Sequence, residues 1–245
     1  MNAGRGAPTA QLPLGFTLAP GTTLASYFAG PNALAVALLR DMAAAGGEQQ
    51  LYLTGAPGLG KSHLLQAACR AAGERGDPVA YLPLGQAADL DPDAVDGLEA
   101  LALVAVDDLD RVAGHERWEA ALFRLVNAAR ASGTHLVLAA RAAPGELGVA
   151  LPDLASRLAW GPVVRLTPLD DDAKRDALVE RARQLGLELP AATARYLVRH
   201  QRRDLAGLLA RLDELDRASL AAGRRLTVPF VREVLSAARD SDPPE

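Results

Sequence analysis

One octapeptide constrains this chain more than any other feature. Gly55-Ala-Pro-Gly58-Leu-Gly60-Lys61-Ser62 fits the pattern G-x-x-x-x-G-K-[ST]. An apolar run, Leu51–Thr54, precedes it, and a helical stretch, Ser62–Arg75, follows. Glycines in such a loop let backbone N–H groups turn inward around phosphate oxygens. The helix that follows adds its positive N-terminus. Lys61 supplies a compact positive charge, and the Ser62 hydroxyl suits a Mg²⁺ ion. Lys61 is also one of only two lysines among 26 basic residues. Gly55, Gly58, Gly60, Lys61 and Ser62 are therefore candidate nucleotide-binding residues, and the adjoining His63 is grouped with them.

A second strand end supports the first. Leu101-Ala-Leu-Val-Ala-Val106 is an apolar run that closes on Asp107-Asp108. In this Walker B arrangement Asp107 would hold Mg²⁺ through its water shell, and Asp108 would orient or activate the attacking water. A simple polar turn made by Asp107, Asp108 and Asp110 is the alternative.

Five short apolar runs recur along the first two thirds of the chain: 51–54, 79–84, 101–106, 135–140 and 163–166. They lack alternation, as strands buried on both faces do, and helical stretches such as 62–75 and 118–131 separate them. The expected fold is α/β, a parallel five-stranded sheet with helices on both faces. After Pro168 only helical patterns remain, at 170–186, 190–200, 203–222 and 229–239. The expected organisation is a tail at 1–22, an α/β nucleotide-binding domain at 23–169, a helical lid domain at 170–240 and a tail at 241–245.

Composition excludes other classes. The single Cys69 leaves no disulfide framework or cysteine-based zinc site. His115, His135 and His200 have no metal-ligand spacing. Aromatics make up 4%, too few for a base-stacking platform, and the net charge of −4 disfavours nonspecific DNA binding. No run reaches 18 apolar residues and no signal pattern opens the chain, so a cytoplasmic protein without membrane contact is expected.

The two nucleotide motifs followed by a helical lid resemble the AAA+ ATPases. Gly58-Leu-Gly-Lys-Ser-His-Leu-Leu65, Asp107-Asp108, Ser156-Arg157-Leu158 with Trp160-Gly161, and Arg203-Asp-Leu-Ala-Gly207 resemble the replication initiator DnaA. Four stretches are closer still to the Hda group, the DnaA-homologous regulatory inactivators. They are Thr23-Leu-Ala-Ser-Tyr-Phe28, Leu151-Pro-Asp-Leu-Ala-Ser-Arg-Leu158, Leu215-Asp-Arg-Ala-Ser219 and Leu226-Thr-Val-Pro-Phe-Val231. DnaA initiators carry a further helix-turn-helix domain after the lid and a helical insertion between the second and third strands. Here the chain ends after the lid, and only residues 85–100 are available for an insertion, so a DnaA-like filament on DNA is not expected.

The resemblance assigns roles. Arg157 matches the arginine-finger position, acting in trans on a partner's ATP; an intrahelical pair with Asp153 is the alternative. Arg203 matches the sensor 2 arginine, which contacts the chain's own nucleotide. Gln11-Leu12-Pro-Leu14-Gly-Phe16 resembles a peptide that docks on the sliding clamp, the β subunit of DNA polymerase III. Gln11, Leu12, Leu14 and Phe16 are its candidate contacts. One departure stands out: Ala139-Ala140 precedes Arg141 where AAA+ proteins place a polar sensor 1 residue. Alanine cannot hold a phosphate or a water, so weak intrinsic ATPase is expected.

The resemblance thus implies a regulatory adaptor that binds ADP (or ATP) with Mg²⁺, docks on the clamp, and stimulates ATP hydrolysis on DnaA. It would meet DNA, and hence the nucleoid, only through the clamp. An autonomous AAA+ ATPase of helicase-loader or clamp-loader type, and a DNA-binding initiator fragment, are the competing readings. Self-association stays open.

Overall fold

In the computed structural model the described residues are 21–89, 91–200 and 205–240. The chain divides into two compact units at Thr167/Pro168.

In the first unit five strands form one parallel sheet: β1 (Gln50–Thr54), β2 (Val79–Pro83), β3 (Leu103–Asp107), β4 (His135–Ala140) and β5 (Val163–Arg165), in the order β2-β3-β4-β1-β5. Around it lie α1 (Ala33–Ala43), α2 (Lys61–Gly73), α3 (Glu116–Ser132) and the short α4 (Pro152–Leu158). The sheet is sandwiched because β1 to β4 are buried on both faces, while the edge strand β5 stays partly exposed. Period-two alternation sorts the side chains. Tyr52, Val104, Val106, Leu136 and Leu138 pack with Trp118, Leu122 and Leu125 of α3. Leu51, Leu53, Leu103, Ala105 and Val137 pack with Leu39 of α1 and Leu64 and Ala68 of α2. Leu53 is fully buried; truncating such a leucine to alanine costs about 2–5 kcal/mol.

The α/β class expected from the sequence is what the chain adopts. Details differ. β3 starts two residues after its apolar run, because Leu101 and Ala102 lie in a bend. α4 is too short for periodicity to reveal. Residues 84–100 contain only three short 3₁₀ turns among the described residues, Leu84–Asp89, Pro92–Val95 and Leu98–Ala100.

In the second unit the helices are α5 (Asp171–Gln184), α6 (Ala191–His200), α7 (Leu205–Ala222) and α8 (Val228–Asp240). Asp170 caps α5 by accepting from the Ala173 amide at 2.7 Å. Leu178, Leu197, Leu208, Leu212, Leu215, Phe230 and Val231 form the core. A bidentate Arg181–Asp213 pair, Nε donating to Oδ1 at 3.3 Å and Nη2 to Oδ2 at 3.2 Å, ties α5 to α7. Among the described residues no helix is long and apolar enough to cross a membrane.

Candidate functional site

Parallel strands bring their C-terminal ends to one edge, and there the motif residues meet. The loop after β1 runs from Gly55 to Gly60 and opens α2 at Lys61. Gly55, Gly58 and Gly60 all have positive φ, at 148°, 81° and 84°. Gly60 is fixed by space as well as by conformation, since a Cβ there would lie 2.7 Å from the Tyr27 ring. Lys61 is buried, and its Nζ donates to the carbonyls of Gly55 (2.7 Å) and Ala56 (3.0 Å). Burial pulls its ammonium below the ordinary lysine range, while the carboxylates of Asp107, Asp110 and Asp108 oppose that shift. Ser62 is exposed on the first turn of α2.

Asp107 is buried at the end of β3. Its Oδ1 accepts from the Asp108 amide at 2.9 Å, and its Oδ2 accepts from the Tyr81 hydroxyl at 2.9 Å. Asp108 adopts the left-handed conformation, φ 56° and ψ 41°, which aspartate tolerates better than most residues. Burial, then the neighbouring charges of Asp107 and Asp110, raise its carboxyl above the usual range. Ala140 ends β4, fully buried and in register with Thr54. The segment after it is pinned from three sides. Thr54 Oγ1 donates to the Arg141 carbonyl (3.1 Å), Tyr52 Oη donates to the Ala142 carbonyl (2.9 Å), and Asp110 accepts from the Arg141 amide (3.0 Å).

Residues 21–32 form a strap beside the loop. Tyr27 Oη donates to the Leu59 carbonyl (3.0 Å), and Asn32 Nδ2 donates to Tyr27 Oη (3.3 Å). His63 Nε2 lies 3.0 Å from the Thr23 carbonyl and 3.3 Å from Ser26 Oγ, so its ring holds the strap. Burial keeps that imidazole below the usual histidine range, with the Thr23 contact opposing. Sequence reasoning named the phosphate-loop residues but missed Tyr27, Asn32 and Tyr81. Nothing in the local pattern marks them, because their roles come from contacts across the fold.

Arg157 sits in the last turn of α4. No ion pair joins it to Asp153 among the described residues. Its guanidinium instead lies 4.1 Å from the Trp160 ring centroid and 5.8 Å from that of Phe123. Its Nε is buried and has no hydrogen-bond partner. α4 is held at both ends. Glu119 Oε2 accepts from the amide of the N-cap residue Leu151 (2.8 Å), and Gln50 Nε2 donates to the carbonyls of Arg157 (2.9 Å) and Leu158 (3.1 Å). A Cβ at Gly161 would collide with the Gln50 carbonyl, so only glycine lets the chain pass here. A cavity of about 240 Å³ adjoins Trp160 at the opposite ends of β1 and β4, far along the strands from the phosphate loop. Of its polar lining residues, which also include Glu48 and Arg130, Gln49, Gln50 and Thr134 are spent on backbone carbonyls.

Lys61, Ser62, Asp107 and Asp108 thus share one edge of the sheet, whereas Arg157 lies on a separate helix. Gln11, Leu12, Leu14, Phe16 and Arg203 lie outside the described residues. The donors present fit a nucleotide: a glycine cradle, an ammonium, a helix N-terminus and a buried carboxylate. Among the described residues no cluster of three or more His, Cys, Asp or Glu could hold a metal ion unaided, so any ion here would need phosphate oxygens as well.

Comparison with known proteins agrees with the fold. Residues 171–235 match the family model described as the lid domain of Hda. Domain III of the replication initiation protein DnaA from Thermotoga maritima is similar, with a TM-score of 0.75 and 21% identity over 91% of this chain and 98% of that one. So is AMPPCP-bound DnaA from Aquifex aeolicus, with a TM-score of 0.69 and 23% identity over 81% of this chain and 66% of that one. The RuvB Holliday junction branch migration motor of Thermotoga maritima gives a TM-score of 0.63 at 15% identity, over 84% of this chain and 67% of that one.

Proposed function

We propose that this chain, whose residues 171–235 match the Hda lid domain and whose fold is similar to DnaA domain III, is a regulatory adaptor of chromosome replication. It binds adenine nucleotide in its own phosphate loop, docks on the sliding clamp through Gln11, Leu12, Leu14 and Phe16, and stimulates ATP hydrolysis on DnaA through Arg157. It works in the bacterial cytoplasm and meets DNA through the clamp. Nucleotide in this chain, ADP or ATP, serves as a bound ligand more than as a substrate.

The observation that carries the reading is the state of Arg157. Its guanidinium is fixed on an aromatic ring and paired with no carboxylate among the described residues, on a helix braced at both ends. An arginine finger needs its charge available for a phosphoryl group on another subunit. The lid match to Hda supports the same assignment.

Within the chain the loop amides and Lys61 would hold phosphates, Ser62 and Asp107 would hold Mg²⁺ through hydroxyl and water, and Arg203 would contact the nucleotide from the lid. Bound Mg²⁺ would supply charge neutralisation between the phosphates. Asp108 would orient water, but the Ala139 and Ala140 side chains at the end of β4 offer no hydrogen bond. Hydrolysis in cis is therefore weak.

Intact Lys61, Asp107 and Asp108 favour a second reading, an autonomous AAA+ ATPase. One assay separates the two. The protein, DNA-loaded clamp and ATP-bound DnaA are mixed, and ADP formed on DnaA is followed as each component is left out. The adaptor reading expects fast ADP formation only with all three. Steady turnover by this protein alone would establish the autonomous reading. Loss of clamp binding in a Gln11→Ala, Leu14→Ala variant tests the docking segment.

A further inference from the structure

We infer that Trp160 is the positioning residue for Arg157, holding the guanidinium in place without neutralising it. The inference rests on the finger reading above. Three observations carry it. The guanidinium lies 4.1 Å from the indole centroid, within cation–π range. No ion pair or hydrogen bond from the Arg157 side chain to protein is present among the described residues, and its Nε is buried without an acceptor. The backbone that carries the ring is held, because Gly161 runs against the Gln50 carbonyl while the Gln50 amide closes the end of α4, and the indole packs against the core on that side of the sheet.

The physical contrast is with a salt bridge. A carboxylate on Arg157 would spend its N–H donors and cancel its charge, and that pair would have to break before the arginine could meet a phosphate. An indole face attracts the cation and takes no N–H donor. It removes rotamer freedom from the long side chain in advance and leaves both charge and donors for an anion. Arg130 lies 4.3 Å from the same ring centroid, so a second positive charge shares the indole and keeps the local field favourable to an anion. The ligand class is therefore a phosphate oxygen of a partner-bound nucleoside triphosphate.

Trp160→Phe, Trp160→Leu and Arg157→Ala are compared in the full-length protein. Two readouts are taken: trans hydrolysis on DnaA in the presence of loaded clamp, and Trp160 fluorescence in a Trp118→Phe background. With Trp160→Leu the maximal trans rate falls roughly tenfold while the half-saturating concentration stays within about twofold, because orientation is lost and docking is not. Trp160→Phe keeps most of the rate, since a ring face remains. In the fluorescence background, Arg157→Ala exposes Trp160 and speeds its quenching by acrylamide. If Arg157→Ala abolishes the trans rate while Trp160→Leu retains it, positioning by Trp160 is wrong and the finger stands. If Arg157→Ala itself leaves the rate unchanged, the finger reading falls and this inference with it. Equal losses in the Phe and Leu variants that track their folded fraction would reduce Trp160 to a packing role and overturn the proposal.

Discussion

The carboxylate of Glu119 on α3 holds the amide of Leu151, the N-cap of α4, at 2.8 Å, although the two residues are 32 positions apart. Its other oxygen accepts from the amides of Gly114 (2.6 Å) and Ala150 (2.9 Å). One buried side chain thus serves three backbone donors and sets where α4 begins. Burial opposes ionisation of Glu119, yet the three amides outweigh it and hold the carboxyl below its ordinary range. A lowered folded pKa means that this stabilisation is present above the unfolded carboxyl pKa, about 4.3, and is lost as pH falls through the folded value. Glu119→Gln should cost about 1–3 kcal/mol at pH 7, read as a lower urea midpoint, and the deficit should shrink toward pH 3. A deficit independent of pH would contradict this account.

Asp108 carries the opposite sign. Its carboxyl is raised, first by burial and then by Asp107 and Asp110, so ionisation at neutral pH costs stability. The cost is absent below the unfolded carboxylate pKa, about 3.9, and appears as pH rises through the folded value. Asn also tolerates the left-handed backbone found here. Asp108→Asn should therefore raise Tm at pH 7 by about 1–2 °C, a modest gain because the group is partly solvent-screened. The gain should vanish near pH 3.5, as measured by calorimetry.

The Tyr81 hydroxyl of β2 holds one oxygen of Asp107 on the neighbouring β3 at 2.9 Å, in a buried hydrogen bond. Were Asp107 to anchor Mg²⁺ as proposed, Tyr81 would orient its carboxylate. Tyr81→Phe should leave nucleotide affinity in EDTA within about twofold and reduce the enhancement given by Mg²⁺ by about tenfold. Titration calorimetry with and without Mg²⁺ measures both. Equal loss in the two conditions would mean that Tyr81 supports the fold and does not tune the metal.

The fold was readable because parallel strands leave uninterrupted apolar runs and the phosphate loop has a fixed spacing. Residues 51–54 with Gly55 to Ser62 place β1, the loop and the start of α2 within one residue, whereas α2 ends at Gly73, two residues before the expected Arg75. Asp107 and Asp108 were readable for the same reason, as carboxylates closing an apolar run. What escaped the sequence is long-range. Glu119 looks like an ordinary acid in the first turn of an amphipathic helix, and Gln50 like a polar strand start. Both act on α4 through bonds spanning 32 and 107 positions. The alternative reading of Arg157, a helical ion pair with Asp153, is not what forms among the described residues, because Trp160, three residues on, takes the guanidinium. Tyr27 gained its role only when the strap crossed Gly60.

The central claim is that this chain acts on a partner's nucleotide through Arg157. It is tested most directly by single-turnover hydrolysis of ATP prebound to DnaA, with loaded clamp and saturating wild-type or Arg157→Ala protein. Circular dichroism and clamp binding confirm that the variant is folded and docked. Loss of an arginine finger should lower the rate by about 10³-fold or more, to the level of DnaA without this protein. A variant that binds the clamp and supports hydrolysis at the wild-type rate would contradict the account.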